Sequence, residues 1–190
     1  MLFLSIDVGI RNLAYIIIEV DENTKETIII EWKITELCEV GDNACKVNNV
    51  VIGKNICDRL EDLMSRYKFY KIIIENQIGV NAIKMKSIQS MLVMYFITKH
   101  YDELSIINYN AANKLKHFTG KKKTTYAERK KLSKIIVKQL CNFKFLKWEH
   151  FFEKSKKKDD LSDCLLQGLD YLVRFEHIGD EIYEQITIVQ

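Results

Sequence analysis

The chain has 190 residues, the size of one compact domain, and 47% of them are hydrophobic and 29% charged, as in ordinary globular proteins. It contains no proline, and no Gly/Ser-rich linker divides it, so we expect one domain over residues 1–190. No apolar run approaches the roughly 20 residues that a membrane-spanning helix needs, and the start lacks the basic segment of a signal peptide. These features argue against a membrane protein and a secreted protein.

Cysteine and histidine residues are scattered along the chain. The five cysteines include no CxxC pair, and the four histidines do not cluster. Structural zinc sites and disulfide scaffolds need regular spacing of such residues. We therefore expect reduced thiols and no zinc site.

Charge is separated along the chain, although the formal net charge is only +3. Residues 114–158 hold 16 basic and three acidic residues, so that this segment carries +13 and the rest of the chain −10. Such a separation is typical of a surface that binds a polyanion. Lysine-rich segments also serve as solvated helix faces or bind acidic proteins and membranes, so charge alone leaves these alternatives open.

The spacing of apolar residues predicts strands in the first half of the chain and mostly helices in the second. The predicted strands are Met1–Val8, Leu13–Val20, Thr27–Trp32, Lys71–Glu75 and Leu104–Tyr109. The predicted helices are a first one from Val47 to Tyr67, then Ile83–Lys99, Ala111–His117, Tyr126–Cys141, Leu146–Phe152 and Asp160–Arg174. Short turns join the first three strands as an antiparallel meander, and helices separate the later ones.

This order predicts an α/β protein with a mixed five-stranded sheet, of three antiparallel and then parallel strands, flanked by helices. It is the layout of the ribonuclease-H-like superfamily and also of each half of the actin-type ATPases. A fold shared by so many proteins fixes no function, which has to be argued from a site.

Four carboxylates stand where the predicted elements converge. Asp7 ends the first strand, Glu75 ends the fourth, and Asp160 and Asp163 lie one turn apart at the start of the last helix. Carboxylates brought together in this way repel one another, and Mg²⁺ removes the conflict because it prefers oxygen ligands. Each acid taken alone is equally consistent with a strand end or a helix N-terminus, but all four together predict a metal site for phosphodiester hydrolysis.

Three motifs surround these acids: Leu4–Tyr15 (LSIDVGIRNLAY), Ile72–Gln77 (IIIENQ) and Lys158–Gln167 (KDDLSDCLLQ). They resemble, in the same order and over nearly the whole chain, the motifs of the poxvirus Holliday junction resolvases. They are also similar to those of fungal mitochondrial resolvases and, more distantly, of bacterial RuvC. The bacterial proteins have proline where this chain has Val8, which favours the poxviral branch.

The resemblance implies a homodimeric, magnesium-dependent endodeoxyribonuclease that resolves four-way junctions and other branched DNA by paired nicks. Its catalytic residues and metal ligands would be Asp7, Glu75, Asp160 and Asp163, with two Mg²⁺ per active site and Mn²⁺ as a substitute. It implies no small-molecule cofactor and no membrane partner. The protein would process recombination and replication intermediates of a viral genome in the cytoplasm of the infected cell.

The basic segment supplies the predicted contacts with DNA phosphates. The predicted DNA-binding residues are Lys114, Lys116, Lys121, Lys122, Lys123, Arg129, Lys130, Lys131, Lys156, Lys157 and Lys158. Lys158, next to the Asp160–Asp163 pair, is also predicted to steady the scissile phosphate. The helix from Ile83 to Phe96 is the predicted dimer element through Met91, Leu92, Tyr95 and Phe96. This apolar stripe could equally be core, and we expect at least half of these four residues there.

Three other functions stay open on the sequence. An actin-type ATPase half-domain needs Gly-rich phosphate loops, and the seven glycines form none. A nuclease of the same fold that cuts RNA–DNA hybrids or single strands would share the four acids. A non-catalytic protein that binds branched DNA would leave them without a chemical role.

Overall fold

A computed structural model describes residues 1–39, 43–79, 82–110, 112, 114–120 and 124–187, without the side chain of Cys45. Its strands are β1 (Leu2–Asp7), β2 (Leu13–Val20), β3 (Thr27–Thr35), β4 (Lys71–Glu75) and β5 (Ile106–Tyr109). They form one sheet in the order β3-β2-β1-β4-β5. The pairs β1–β2 and β2–β3 are antiparallel, and β1–β4 and β4–β5 are parallel. The predicted mixed five-stranded sheet is confirmed.

Helices cover both faces of this sheet. They are α1 (Asn49–Arg66), α2 (Ile83–Thr98), α3 (Lys116–Thr119), α4 (Tyr126–Phe143), α5 (Glu149–Lys154) and α6 (Lys158–Arg174). Single 3-10 turns lie at Ala44–Lys46, Leu146–Trp148 and Asp180–Tyr183. One apolar core joins the sheet to α1 and α2, and a second joins its other face to α4, α5 and α6. Within the described ranges, no helix is both long and apolar enough to cross a lipid bilayer.

Two of the predicted elements differ clearly from the structure. The third strand continues from Trp32 to Thr35, because β2 pairs with it along its whole length. The predicted helix from residue 111 to 117 is mostly wrong, since α3 begins only at Lys116; residues 111 and 113 lie outside the described part. The side chain of Asn110 accepts a hydrogen bond from the Ala112 N–H at 3.0 Å, and such a turn competes with helix formation.

The alternation of side chains in β1 and β4 determines which acids reach the same side. In β1, Phe3 belongs to the core beneath α6, whereas Leu4 and Ile6 belong to the core beneath α1 and α2. Because every second residue of a strand shares a face, Asp7 points to the α6 side. The same alternation in β4 places Glu75 on the side of Ile73, which also faces α6.

Helix α6 lies close to the sheet. An added Cβ at Gly168 would be 3.0 Å from Cδ1 of Ile18 and 3.2 Å from Cβ of Ser5. The indole N–H of Trp32 donates to the carbonyl of Leu161 at 3.2 Å, which ties the first turn of α6 to β3. At Gly168 the helix therefore lies so close to β1 and β2 that even the Cβ of an alanine would crowd their side chains.

The inner face of α2 belongs to the core rather than to a surface. Leu92, Tyr95 and Phe96 are buried and Met91 is partly buried against the same core, which confirms the expectation that at least half of the four belong to the core. The three buried residues are not available for a dimer contact. The apolar side chains that α2 exposes are Ile83, Met94 and Ile97, which are 73%, 58% and 49% exposed.

Candidate active site

Asp7 and Glu75 meet at the carboxyl edge of the sheet. The parallel register pairs Ile6 with Ile74, so that the acids that follow stand side by side, and their carboxyl groups are within hydrogen-bonding contact. Asp7 is only 9% exposed. Immediately after it the chain turns so tightly that a Cβ at Gly9 would lie 2.5 Å from the carbonyl oxygen of Asn12. A glycine is thus needed two residues after the first acid.

The first turns of α6 add Asp160 and Asp163 to this edge. All four predicted acids line one cleft of about 840 Å³. The ammonium of Lys114 lies 2.8 Å from Oδ1 of Asp163, so a lysine predicted to contact DNA is placed among the acids. The sequence-based prediction that β1, β4 and α6 converge on these carboxylates agrees with this geometry.

Burial and mutual repulsion determine the protonation of the cluster. Burial, together with the charges of Glu75 and Asp163, raises the pKa of Asp7 well above its usual range. Burial also raises the pKa of Asp163, and the Lys114 ammonium opposes this effect. Burial and the neighbouring Asp159 carboxylate raise the pKa of Asp160. The cluster therefore holds more negative charge than the protein alone stabilises, and it favours a cation.

The donor atoms fit a hard divalent cation. The four side chains offer only carboxylate oxygens, which Mg²⁺ prefers, and no imidazole or thiolate of a zinc site. In the described ranges, no three His, Cys, Asp or Glu side chains converge as ligands of one ion, so the acids share a cleft without forming a ready metal cage. This suits Mg²⁺, which keeps several waters and typically takes one or two carboxylates from the protein.

Glu75 has a partner that the sequence analysis did not identify. The amide of Gln77 donates to Oε2 of Glu75 at 2.6 Å. The backbone N–H of Gln77 in turn donates to Oε1 of Gln89 at 2.8 Å, and the amide of Gln89 donates to Asn108 at 2.8 Å. This chain of hydrogen bonds connects the Glu75 carboxylate to α2 and β5 and thereby fixes its orientation.

Two adjacent acids of α6 have different surroundings. Asp159 accepts a hydrogen bond from the Lys130 ammonium at 2.6 Å. Burial alone would raise the pKa of Asp159, but the Lys130 ammonium lowers it overall. Asp160 lines the cleft, whereas Asp159 does not. The structure therefore groups Asp160, and not Asp159, with the other acids of the site.

A family model described as "Poxvirus A22 protein" matches residues 1–175. The chain belongs to this family. The match confirms the poxvirus family that the three motifs predicted. Protein L451 of Acanthamoeba polyphaga mimivirus is 30% identical over 156 residues, which are 72% of this chain. The chain spans only 37% of the length of that curated relative.

Solved structures of junction resolvases share the fold of this Poxvirus A22 family member. The fowlpox virus resolvase in complex with Holliday junction DNA is 22% identical, with a TM-score of 0.62, over 92% of this chain and 99% of that one. RuvC of Thermus thermophilus is 12% identical, with a TM-score of 0.63, over 94% and 99% of the two chains. The yeast mitochondrial Holliday junction resolvase is 15% identical, with a TM-score of 0.66, over 97% and 86%. The predicted RuvC-like fold is confirmed.

The predicted DNA-binding residues of this family member fall into four groups. Lys116, Arg129 and Lys130 line the cleft beside the acids, as Lys114 does. Lys131, Lys156 and Lys157 are exposed elsewhere on the same helical face of the sheet. Lys121, Lys122 and Lys123 lie outside the described residues. Lys158 donates to the carbonyls of Glu153 and Ser155, at the end of α5, at 2.5 and 3.2 Å. Its ammonium is therefore directed at a helix end rather than into the cleft.

Proposed function

We propose that this protein is a metal-dependent endonuclease that resolves Holliday junctions and other branched DNA by paired cuts. The observation that carries the proposal is the cleft in which β1, β4 and α6 present Asp7, Glu75, Asp160 and Asp163 beside basic side chains. Membership of the Poxvirus A22 family and the fold shared with junction resolvases support it.

The four acids are the proposed ligands of two Mg²⁺ ions. Bound ions would activate the attacking water and stabilise the charge that develops on the leaving oxygen. The raised pKa values of Asp7, Asp160 and Asp163 support a cation as the natural counter-charge of the cluster. Because Mn²⁺ accepts the same oxygen ligands, it should replace Mg²⁺.

The protein's own side chains prepare this cleft for charged ligands. Lys114 partly neutralises Asp7 and Asp163 and thereby lowers the cost of bringing the acids together. Gln77 holds the Glu75 carboxylate in one orientation before any ligand arrives. A preorganised set of donors loses less freedom on binding than a flexible one.

The basic side chains that share the cleft are the proposed contacts of the DNA backbone. Lys116 and Arg129 are exposed and line the cleft with the acids. Lysine and arginine contacts with phosphate position a duplex without reading its sequence. A junction arm held by these residues would bring one phosphodiester bond to the acids.

A homodimer is proposed because paired cuts in opposed strands need two active sites. The exposed apolar residues Ile83, Met94 and Ile97 lie along the outer side of α2, and an apolar surface patch of this kind is typical of a protein interface. Sedimentation of the wild-type protein as a monomer at micromolar concentration would contradict the dimer without contradicting the nuclease.

We further propose that the substrate is a viral genome in the cytoplasm of the infected cell. Membership of a poxvirus protein family supports this placement. In that setting the cuts would separate recombination and replication intermediates into linear products.

The proposal is tested by cleavage of a labelled synthetic four-way junction, with a linear duplex and an RNA–DNA hybrid as controls. Wild type and Asp7→Asn are compared in Mg²⁺ and in chelator. We expect symmetric paired nicks in the junction that need Mg²⁺ and vanish in Asp7→Asn.

Other results would favour other functions. Preferred cutting of the hybrid would indicate a nuclease of the ribonuclease H type. Junction binding without cleavage, in Mg²⁺ and Mn²⁺ alike, would indicate an architectural protein.

A further inference from the structure

Two polar side chains lie in the otherwise apolar layer between α6 and the sheet. Ser5 is fully buried and Gln167 is 1% exposed. The hydroxyl of Ser5 donates to the carbonyl of Cys164 at 2.8 Å. The amide of Gln167 donates to Oγ of Ser5 and to the carbonyl of Ile6, both at 3.1 Å, with a longer contact of 3.4 Å to the carbonyl of Ile73. We call these two side chains the Ser5–Gln167 hub.

The hub connects the three elements that carry the acids of the cleft. Ser5 precedes Asp7 by two residues in β1, which places both side chains on one face of the strand. Gln167 follows Asp163 by four residues in α6, which places both on one side of the helix. Each hub residue is therefore the nearest neighbour of an acid along the same face of its element.

The same relation holds in the neighbouring strand. Ile73, whose carbonyl contacts Gln167, precedes Glu75 by two residues in β4. Hydrogen bonds of one glutamine thus span from the helix that carries Asp160 and Asp163 to both strands that carry the other acids.

Polar groups in this layer need a reason beyond packing. Burying an amide or a hydroxyl is unfavourable unless each group finds a partner, and apolar side chains of similar volume would fill the same space. Hydrogen bonds differ from apolar contacts in that they depend steeply on distance and angle. They therefore define the position of α6 along β1 and β4. Close packing at Gly168 alone does not define it.

We propose that Gln167 and Ser5 are positioning residues, which set the distance between the helix carboxylates and the strand carboxylates and thereby the affinity of the cleft for divalent metal. This inference rests on the proposed function of the same cleft. Neither residue lines the cleft. Their effect passes through the placement of α6.

The test measures metal binding directly, by the loss of the free Mn²⁺ signal in electron paramagnetic resonance, together with junction cleavage. The variants are Gln167→Met, which keeps the volume and removes the donor, Ser5→Ala, and the double variant. The control is Leu172→Ala, which opens the buried face of α6 without touching the hub. Thermal melts identify a temperature at which each protein is folded.

We expect Gln167→Met and Ser5→Ala to weaken Mn²⁺ binding by about tenfold, the lower end of what partners outside the ligand shell contribute. At saturating Mn²⁺ the cleavage rate should stay reduced while the KM for the junction is unchanged. The double variant should be no worse than Gln167→Met, because residues of one network are not additive. Leu172→Ala should bind Mn²⁺ as wild type does, even if it melts lower.

Several outcomes overturn the inference alone. These are wild-type Mn²⁺ affinity in both single variants, an equal loss of affinity in Leu172→Ala, or additive losses in the double variant. In each of them the wild type still binds Mn²⁺ and cuts junctions. A wild-type protein that neither binds Mn²⁺ nor cuts a junction would contradict the proposed function itself, and this inference with it.

Discussion

Asp7 and Glu75 stand side by side on two parallel strands, with their carboxyl groups in contact and both directed toward α6. Such a pair is unfavourable in the absence of a cation, because neighbouring negative charges repel one another. The protein keeps this arrangement although uncharged side chains would fit the same sheet edge. The pair thus reduces the stability of the metal-free protein, and a bound cation would offset this loss.

The contribution of the acidic cluster to the stability of the metal-free protein should fall as pH rises. The pKa values of Asp7, Asp160 and Asp163 are raised by folding, so these three groups bind more protons in the folded protein than in the unfolded chain above about pH 4, the ordinary aspartate pKa. The stability that these groups contribute is complete below that pH and is lost as pH rises through their raised pKa values. Asp7→Asn should weaken this loss and should melt higher than wild type at neutral pH.

Thermal melts in chelator across this pH range, for wild type and Asp7→Asn, measure the effect. Added Mg²⁺ should raise the Tm of wild type and leave that of Asp7→Asn nearly unchanged, because only a bound ligand stabilises the folded state. The same pH dependence in both proteins would show that the cluster does not control stability.

Asp160→Asn and Asp159→Asn form a matched pair of variants. They remove one charge each at adjacent positions, but Asp160 lines the cleft and Asp159 pairs with Lys130. We expect Asp160→Asn to lower the cleavage rate by about 100-fold or more, since a catalytic metal supplies several kcal/mol and each ~1.4 kcal/mol is a factor of ten. Asp159→Asn should stay within roughly tenfold of wild type. Equal losses in single-turnover cleavage would mean that Asp159 belongs to the site.

The sequence predicted the sheet and the four acids because both depend on local patterns. The bounds of β2 and β4 follow from their apolar runs, and the acids at strand and helix ends follow from those bounds. The partners of the acids were harder to predict, since Lys114 and Gln77 reach them through loops with no periodic signal. Gln167 did carry a signal, as a polar residue among the apolar residues Leu165, Leu166 and Leu169 of α6, all of which are buried.

Surface and core could not be separated in α2 from the sequence alone. The second half of this helix, Met91–Ile97, is an unbroken run of apolar and aromatic residues, so that the pattern there does not show which side faces the sheet. Only packing against α1 and β4 identifies Leu92 and Phe96 as core and leaves Met94 exposed.

Gln77→Met should weaken the site without unfolding the protein. Gln77 is only partly buried, and its amide donates to Glu75 at 2.6 Å, so methionine removes the donor and keeps the length of the side chain. Losing an orienting partner of a metal ligand typically reduces metal affinity or activity by about 10- to 100-fold. Mn²⁺ titration followed by the cleavage rate should show a higher half-saturating concentration, and thermal melts in chelator a change of a few degrees at most. An unchanged half-saturating Mn²⁺ concentration would mean that the orientation of the Glu75 carboxylate does not depend on Gln77.

Lys116→Ala and Arg129→Ala should each reduce DNA affinity and make it less dependent on salt concentration. Both side chains are exposed, line the cleft and should each neutralise one phosphate. Losing one phosphate contact lowers the slope of log affinity against log salt by about one, whatever the DNA sequence.

Junction binding without cleavage is measured in Ca²⁺ or chelator over a range of NaCl concentrations, with Lys54→Ala as control. Lys54 is an exposed lysine of α1, on the opposite face of the sheet, so its loss changes net charge equally but should leave the slope unchanged. A shift in the Lys54→Ala slope as large as in the other two variants would mean that net charge, and not the cleft, determines binding.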